Sequence, residues 1–123
     1  MNTTEKLEKI VRILDSKKAE DIQVIGITNL TIIADYFIIA TGNSSTQVKS
    51  LADEVDFQLG ELGIEANGIE GVRSAEWIVL DYGDIVVHVF YRNTREVYQL
   101  ERLWADGEQV DISGLLIDEG AQA

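Results

Sequence analysis

The residues best suited to chemistry in this chain are few, and the first group is a short polar segment. Gly42, Asn43, Ser44 and Ser45 follow an apolar run and precede an amphipathic segment. Backbone N–H groups at such a helix start could hold a phosphate. The segment has neither the spaced glycines of a dinucleotide-binding loop nor the Gly-Lys-Ser/Thr ending of a P-loop. Its pattern therefore favours a helix cap over a nucleotide site.

Carboxylates that could hold Mg²⁺ for phosphoryl or nucleotidyl transfer are not suitably paired. On a strand, an Asp-x-Asp pair would project both carboxylates from one face, and the sequence contains no such pair. Glu54 and Asp56 have that spacing but fall in a predicted helix, where residues two apart point away from each other. Asp81 and Asp84 bracket a predicted turn, where acidic residues are common. We expect no metal site.

His88 is the single histidine of the chain, and it could in principle act as a general base. It lies in an apolar run between Val87 and Val89, and no serine is placed by the sequence as its nucleophile. Cysteine is absent, which excludes disulfides, thiolate zinc sites and cysteine nucleophiles. A binding or packing role for His88 is favoured, and we expect no catalytic residue, no cofactor and no enzymatic activity.

Composition and charge narrow the class of partner. A chain of 123 residues, 46% apolar and 26% charged, is typical of one globular domain. It has no basic-then-apolar leader and no apolar stretch near 18 residues, so we expect a cytoplasmic protein with no membrane partner. The formal net charge of −12 argues against a direct grip on RNA or DNA. It favours a basic protein partner, or else serves solubility alone.

Hydrophobic periodicity predicts the order α-β-β-α-β-β-β-α. The predicted elements are a helix at 4–17, strands at 22–27 and 36–41, a helix at 44–62, a short strand within 64–69, strands at 77–82 and 85–91, and a helix at 94–105. This order predicts one α/β (α+β) domain over residues 1–106, in which helices pack mainly on one face of a mixed five-stranded sheet. Residues 107–123 are expected to form an acidic, loosely held tail.

Local signals define the ends of the helices. Thr3 or Thr4 is expected to cap the first helix, and Ser44 with Gln47 has the spacing of a capping box for the second. Thr94 is expected to cap the last helix. In that helix the apolar residues with helical spacing should face inward; they are Val97, Leu100 and Trp104.

The two strands around Gly83 and Asp84 predict a β-hairpin. With a two-residue loop, Leu80 pairs with Val87, whereas a four-residue loop changes the partners but not the division between faces. One face is then a plain core face, made of Ile78, Leu80, Tyr82, Ile85, Val87, Val89 and Tyr91. The other face mixes aromatic, ionisable and apolar residues, namely Trp77, Val79, Asp81, Val86, His88 and Phe90. That mixed face either docks a partner or packs under the last helix.

Several motifs resemble those of the ribosomal silencing factor family, also called the Iojap or RsfS family. They are DYFIIATGNSSTQVK at 35–49, GIEG at 68–71, EW at 76–77, LDYGDIVVHVF at 80–90 and Y-x-LERLW at 98–104. The resemblance covers about residues 4–106 and leaves out the tail. It implies a catalytically silent, nucleotidyltransferase-like fold that is a homodimer when free.

The resemblance also implies a function. The chain would repress translation by binding the large ribosomal subunit through ribosomal protein L-fourteen, with little direct rRNA contact. It would block association with the small subunit, especially under nutrient limitation. The matching positions expected to bind the ribosomal protein are Trp77, Asp81, His88, Phe90, Tyr98, Leu100 and Glu101. Two alternatives stay open: a nucleotide-binding or nucleotidyltransferase enzyme that uses residues 42–45, and an assembly factor for the large subunit.

Overall fold

The computed structural model of the chain describes residues 1–116. Its elements in chain order are α1 (Thr3–Ser16), β1 (Glu20–Gly26), β2 (Tyr36–Gly42), α2 (Ser45–Glu61), β3 (Gly68–Glu70), β4 (Trp77–Asp81), β5 (Ile85–Tyr91), α3 (Arg92–Tyr98), α4 (Leu100–Leu103) and β6 (Glu108–Gln109). No helix among these residues is long and apolar enough to cross a bilayer.

The strands form one mixed sheet in the order β3-β4-β5-β2-β1-β6. The central pair, β2 and β5, is parallel, and all the other neighbours are antiparallel. A parallel pair needs a long crossover, which α2 and the β3–β4 segment supply. The prediction of a mixed α/β domain is therefore confirmed, whereas the number of five strands is wrong because β6 adds a sixth. The likeness to nucleotidyltransferases stays a prediction.

Two apolar clusters lie on opposite faces of this sheet, as the alternation of strand residues requires. The larger cluster joins α1 and α2 to the sheet through residues such as Leu14, Val55 and Leu80. The smaller cluster is covered by α4 and the segment after it; its buried members are Ile25, Ile27, Ala34, Phe37, Ile39, Val86, Phe90 and Leu100. The two long helices thus share one face, and the short C-terminal helices shield the other.

The helix caps differ in detail from those expected. The cap of α1 is Asn2 instead of Thr3 or Thr4: its Oδ1 accepts a hydrogen bond from the Glu5 N–H at 2.8 Å, and Glu5 Oε1 accepts one from the Asn2 N–H. Ser44 caps α2 as predicted, since its Oγ accepts from the Gln47 N–H at 3.0 Å. The Gln47 side chain, however, accepts from the Asn43 N–H instead of completing a capping box.

The predicted last helix is broken. It begins at Arg92, before the expected cap Thr94, and Gln99 interrupts it with a left-handed backbone (φ 48°). Leu100 is buried and Trp104 is half-buried against the smaller cluster, as predicted. Val97 is 78% exposed, so its predicted inward orientation is wrong. The physical reason is the break, which changes the direction of the chain between Val97 and the residues that follow Gln99.

The segment after 106 begins as part of the fold, contrary to the expectation of a loosely held tail from 107 onward. Glu108–Gln109 pairs with the outer side of β1, and the Val110 N–H donates to the Val24 carbonyl at 2.9 Å. Ile112 is buried in the larger cluster. Residues 117–123 lie outside the described residues, and for them the expectation stays a prediction.

Candidate functional site

The β4–β5 hairpin has the register of the two-residue loop. The Tyr82 N–H donates to the Ile85 carbonyl at 2.9 Å, Leu80 pairs with Val87, and Trp77 pairs with Phe90. The predicted division between faces is confirmed: Leu80 and Val87 are fully buried in the larger cluster. The mixed face belongs to the smaller cluster.

Trp77 is the centre of the mixed face. Its ring stacks on Phe90 with centroids 4.7 Å apart, and the ring of Tyr98 lies 4.9 Å away on α3. The indole Nε1–H donates to His88 Nδ1 at 3.1 Å. Phe90 is fully buried and Trp77 is half-buried, whereas Tyr98 is 54% exposed. The mixed face therefore both packs under the C-terminal helices and leaves aromatic surface in contact with solvent.

His88 is an internal support for Trp77. Because its Nδ1 accepts the indole hydrogen bond, the neutral ring carries its proton on Nε2. That atom is buried without a hydrogen-bond partner among residues 1–116, and the ring of Phe37 lies 4.7 Å away. Burial lowers the pKa of His88 from 6.5 to about 4. At neutral pH the ring is thus uncharged, and it orients the indole.

The close approach of Gly71 also fixes Trp77. A Cβ added at Gly71 would lie 2.0 Å from the Trp77 carbonyl oxygen, and the φ of Gly71 is +88°. Any other residue would have to displace the start of β4. The GIEG motif at 68–71 therefore contributes to the geometry of the mixed face.

The remaining predicted site residues lie in different surroundings. Asp81 is exposed at the hairpin turn, where its Oδ1 accepts from the Gly83 N–H at 2.8 Å. It lies four positions along β4 from Trp77, about 13 Å away. Leu100, the first residue of α4, is buried in the smaller cluster, and Glu101 pairs with Arg95. The structure brings together Trp77, His88, Phe90 and Tyr98; the partner-binding role of all seven residues stays a prediction.

The sequence pattern did not predict the surroundings of two groups of residues on α3 and α4. The first is apolar and exposed: Val97 on α3 is 78% exposed and Leu103 on α4 is 75% exposed. The second is Arg95, which is buried and reaches Asp21, Thr41 and Glu101. An arginine in an amphipathic helix gives no sequence signal of burial, because its partners come from distant segments. Hereafter the docking surface means Trp77, Val97, Tyr98 and Leu103.

Beside the candidate phosphate site at 42–45, polar side chains of the chain pair with one another. Asn43 Nδ2 donates to Glu20 Oε1 at 3.0 Å, and Arg92 contacts both Asn43 and Glu20. The Glu20 carboxylate beside this helix start would repel an anion. A Cβ on Gly42 would lie 2.9 Å from Val48 Cγ2, so the glycine here serves helix packing. Within residues 1–116, no group of three or more metal-ligating side chains is assembled.

Comparisons with known proteins find similarity along the whole chain. A family model described as "Ribosomal silencing factor during starvation" matches residues 1–123. A Halalkalibacterium halodurans protein named ribosomal silencing factor RsfS is 40% identical over 116 residues, which is 94% of this chain and 99% of that protein. A mouse protein named mitochondrial assembly of ribosomal large subunit protein 1 is 30% identical over 101 residues, 80% of this chain and 44% of that protein. A crystal structure of a Chromobacterium violaceum protein superposes with a TM-score of 0.83 at 36% identity, covering 92% of this chain and 93% of that one.

Proposed function

Because the chain belongs to the ribosomal silencing factor family, we propose that it represses translation by binding the large ribosomal subunit. In this proposal it binds ribosomal protein L-fourteen on the side that faces the small subunit. The bound protein then occupies space that the small subunit needs, so the two subunits cannot join. Nutrient limitation is the condition under which this repression matters most.

The observation that carries the proposal is the docking surface. Trp77 is held from two sides, by the stacked ring of Phe90 and by the hydrogen bond to His88, so its orientation is set before binding. A preorganised aromatic side chain loses little conformational freedom when it is covered. Exposed Val97 and Leu103 supply further apolar area on α3 and α4. Such a surface fits a protein partner better than a small molecule.

Charge supports the choice of a protein partner over rRNA. With 10 basic and 22 acidic residues, the chain attracts basic surfaces and is repelled by phosphates. We therefore expect protein to supply the main contact, with little direct rRNA contact. In this proposal the protein acts in the cytoplasm and has no enzymatic activity or cofactor.

The experiment that tests the proposal is subunit joining with purified components. Added protein should lower the yield of joined ribosomes, and Trp77→Ala should lose this effect. Phe57→Ala is a matched control, because Phe57 is 63% exposed on α2, the helix that packs on the other face of the sheet. Joining that proceeds equally with and without the wild-type protein would contradict the proposal.

A second candidate function is assembly of the large subunit, which the name of the mouse relative favours. Depletion of the protein followed by gradient profiling of ribosomes separates the two. Silencing predicts normal large subunits and more joined ribosomes during starvation, whereas assembly predicts immature large particles in growing cells.

We propose that in the free protein a second copy covers the docking surface, because burying exposed aromatic and aliphatic side chains lowers the free energy. Equilibrium sedimentation should then show dimers at high concentration, and Trp77→Ala should shift the protein toward monomer. A wild-type protein that stays monomeric at high concentration would contradict this.

A further inference from the structure

We propose that Arg95 and Glu101 form a clamp that holds Tyr98 on Trp77, and that both residues act on docking only through this placement. The inference rests on the docking function proposed above. It makes Glu101 a positioning residue instead of a contact of the partner. Arg95, which no sequence motif pointed to, becomes the centre of the arrangement.

The Arg95 guanidinium joins three elements. Its Nη1 donates to the Thr41 Oγ1 of β2 at 2.7 Å and to the Asp21 carbonyl of β1 at 2.6 Å. Its Nε donates to Glu101 Oε2 on α4 at 2.9 Å, and its Nη2 lies 3.4 Å from the Asp21 carboxylate. The planar guanidinium holds its donors in a fixed geometry, so these contacts fix the position of α3 and α4 relative to the sheet.

The clamp spans the break between α3 and α4. The Gln99 N–H donates to the Arg95 carbonyl at 2.8 Å, and Gln99 itself has the left-handed backbone, which a residue of this type keeps only when its surroundings hold it. Tyr98 directly precedes the break and lies against Trp77, while Leu100 directly follows it and is buried. The Arg95–Glu101 pair, with one member on each side of Gln99, thus fixes where Tyr98 points.

The polar atoms of the clamp are turned toward the chain, not toward a partner. Arg95 is only 6% exposed. Glu101 Oε1 is buried without a hydrogen-bond partner among the described residues. Removing Arg95 would leave the Glu101 carboxylate without its counter-ion, and removing Glu101 would leave the Arg95 Nε–H without its acceptor. The cheapest response is for α3 and α4 to move away from the sheet. That movement would release Tyr98 from Trp77.

The test uses Arg95→Met, which keeps an unbranched apolar stem in place of the arginine methylenes but removes the charge and the donors. Arg92→Met is the matched control, since Arg92 lies on the same helix and pairs with Glu20, but is half-exposed and remote from the break. Two quantities are measured: the Kd for purified large subunits by co-sedimentation, and the NMR shift of the Trp77 indole N–H, assigned with Trp104→Phe. A role limited to overall stability would leave both unchanged below the melting temperature.

If the clamp acts through Tyr98, Arg95→Met weakens binding by about 10- to 30-fold and moves the indole resonance toward its position in Tyr98→Ala. In the Tyr98→Ala background the same change then costs less than about 3-fold, because the effects of residues that act as one unit are not additive. Arg92→Met changes neither quantity. Two results would overturn the proposal: a loss of affinity in the double variant equal to the product of the two single losses, or an unchanged indole resonance in Arg95→Met.

A second variant covers the case in which Arg95→Met does not fold. Glu101→Gln keeps an acceptor for the Arg95 Nε–H but removes the charge, and should give a loss of a few-fold that again disappears in Tyr98→Ala. Unchanged binding and an unchanged indole resonance in Glu101→Gln would also overturn the proposal. The indole resonance needs no ribosome, so the clamp is tested even if the wild-type protein fails to bind large subunits, a result that would contradict only the proposed function.

Discussion

Acid should destabilise this protein through the buried side chain of His88. Burial lowers the pKa of His88 from 6.5 to about 4, so between these values the unfolded chain binds a proton that the folded chain does not. The contribution of neutral His88 to the free energy of unfolding is therefore fully present above pH 6.5 and is lost as the pH falls toward 4. At pH 5 the two pKa values give a loss of about 2 kcal/mol relative to pH 7.5. For a chain of this length that is about 8 °C in melting temperature.

The assay is urea or thermal unfolding at pH 7.5, 6 and 5, with His88→Gln as the control. Glutamine can still accept the Trp77 indole hydrogen bond but does not titrate in this range. We expect His88→Gln to be less stable at pH 7.5 yet to lose much less between pH 7.5 and 5. Burial opposes the shift, but the hydrogen bonds donated by Lys6 and Thr3 lower the pKa of Asp84, so its contribution to stability is lost at a lower pH than that of His88. Equal losses in the two proteins between pH 7.5 and 5 would refute the reasoning.

Three further predictions concern the core, the partner and the enzyme alternative. Leu80→Ala should cost about 2–5 kcal/mol of folding stability, because it leaves a cavity between the sheet and α2. At low temperature this variant should still bind large subunits. A variant that melts normally but no longer binds would mean that the core face and the binding face of the hairpin have been assigned the wrong way round. Binding should weaken as salt rises but survive nuclease trimming of exposed rRNA, and a preference for naked rRNA over L-fourteen would contradict a protein contact. Calorimetry with ATP and Mg²⁺ should give no binding, because Asn43, Glu20 and Arg92 bind one another beside the start of α2 and the Glu20 carboxylate would repel phosphate. A micromolar dissociation constant that depends on Ser44 would instead support the enzyme alternative.

The elements that could be predicted from the sequence are those with a strong local pattern. Alternation in the hairpin fixed which residues share a face, and Ser44 was recognisable as a cap because its side chain serves a backbone N–H three residues away. β6 gave no such signal, since Glu108–Gln109 is short and polar and is a strand only because β1 has an open edge. A strand this short is defined by its partner, not by its own composition.

The sequence predicted which residues share the mixed face, but not which of them are buried and which are exposed. The alternation of side chains along β4 and β5 places Trp77, His88 and Phe90 on one face. Which of them is buried depends on the path of the chain after β5. That path turns at Gln99, and the turn is held by contacts of Arg95 with residues far away in sequence. Periodicity assumed one continuous helix, so it wrongly predicted that Val97 faces inward. Long-range polar contacts of this kind leave no periodic trace.

Binding of Trp77→Ala to purified large subunits tests whether the chain binds the large subunit through the docking surface. Loss of an aromatic anchor commonly costs about 2–4 kcal/mol, some 30- to 1,000-fold in affinity. The variant also loses a stacking contact and one hydrogen bond, so we expect it to melt about 4–8 °C below the wild type yet to be folded at the assay temperature. We expect the wild type and Phe57→Ala to co-sediment with large subunits, and folded Trp77→Ala not to. Folded Trp77→Ala that binds as tightly as the wild type would contradict it.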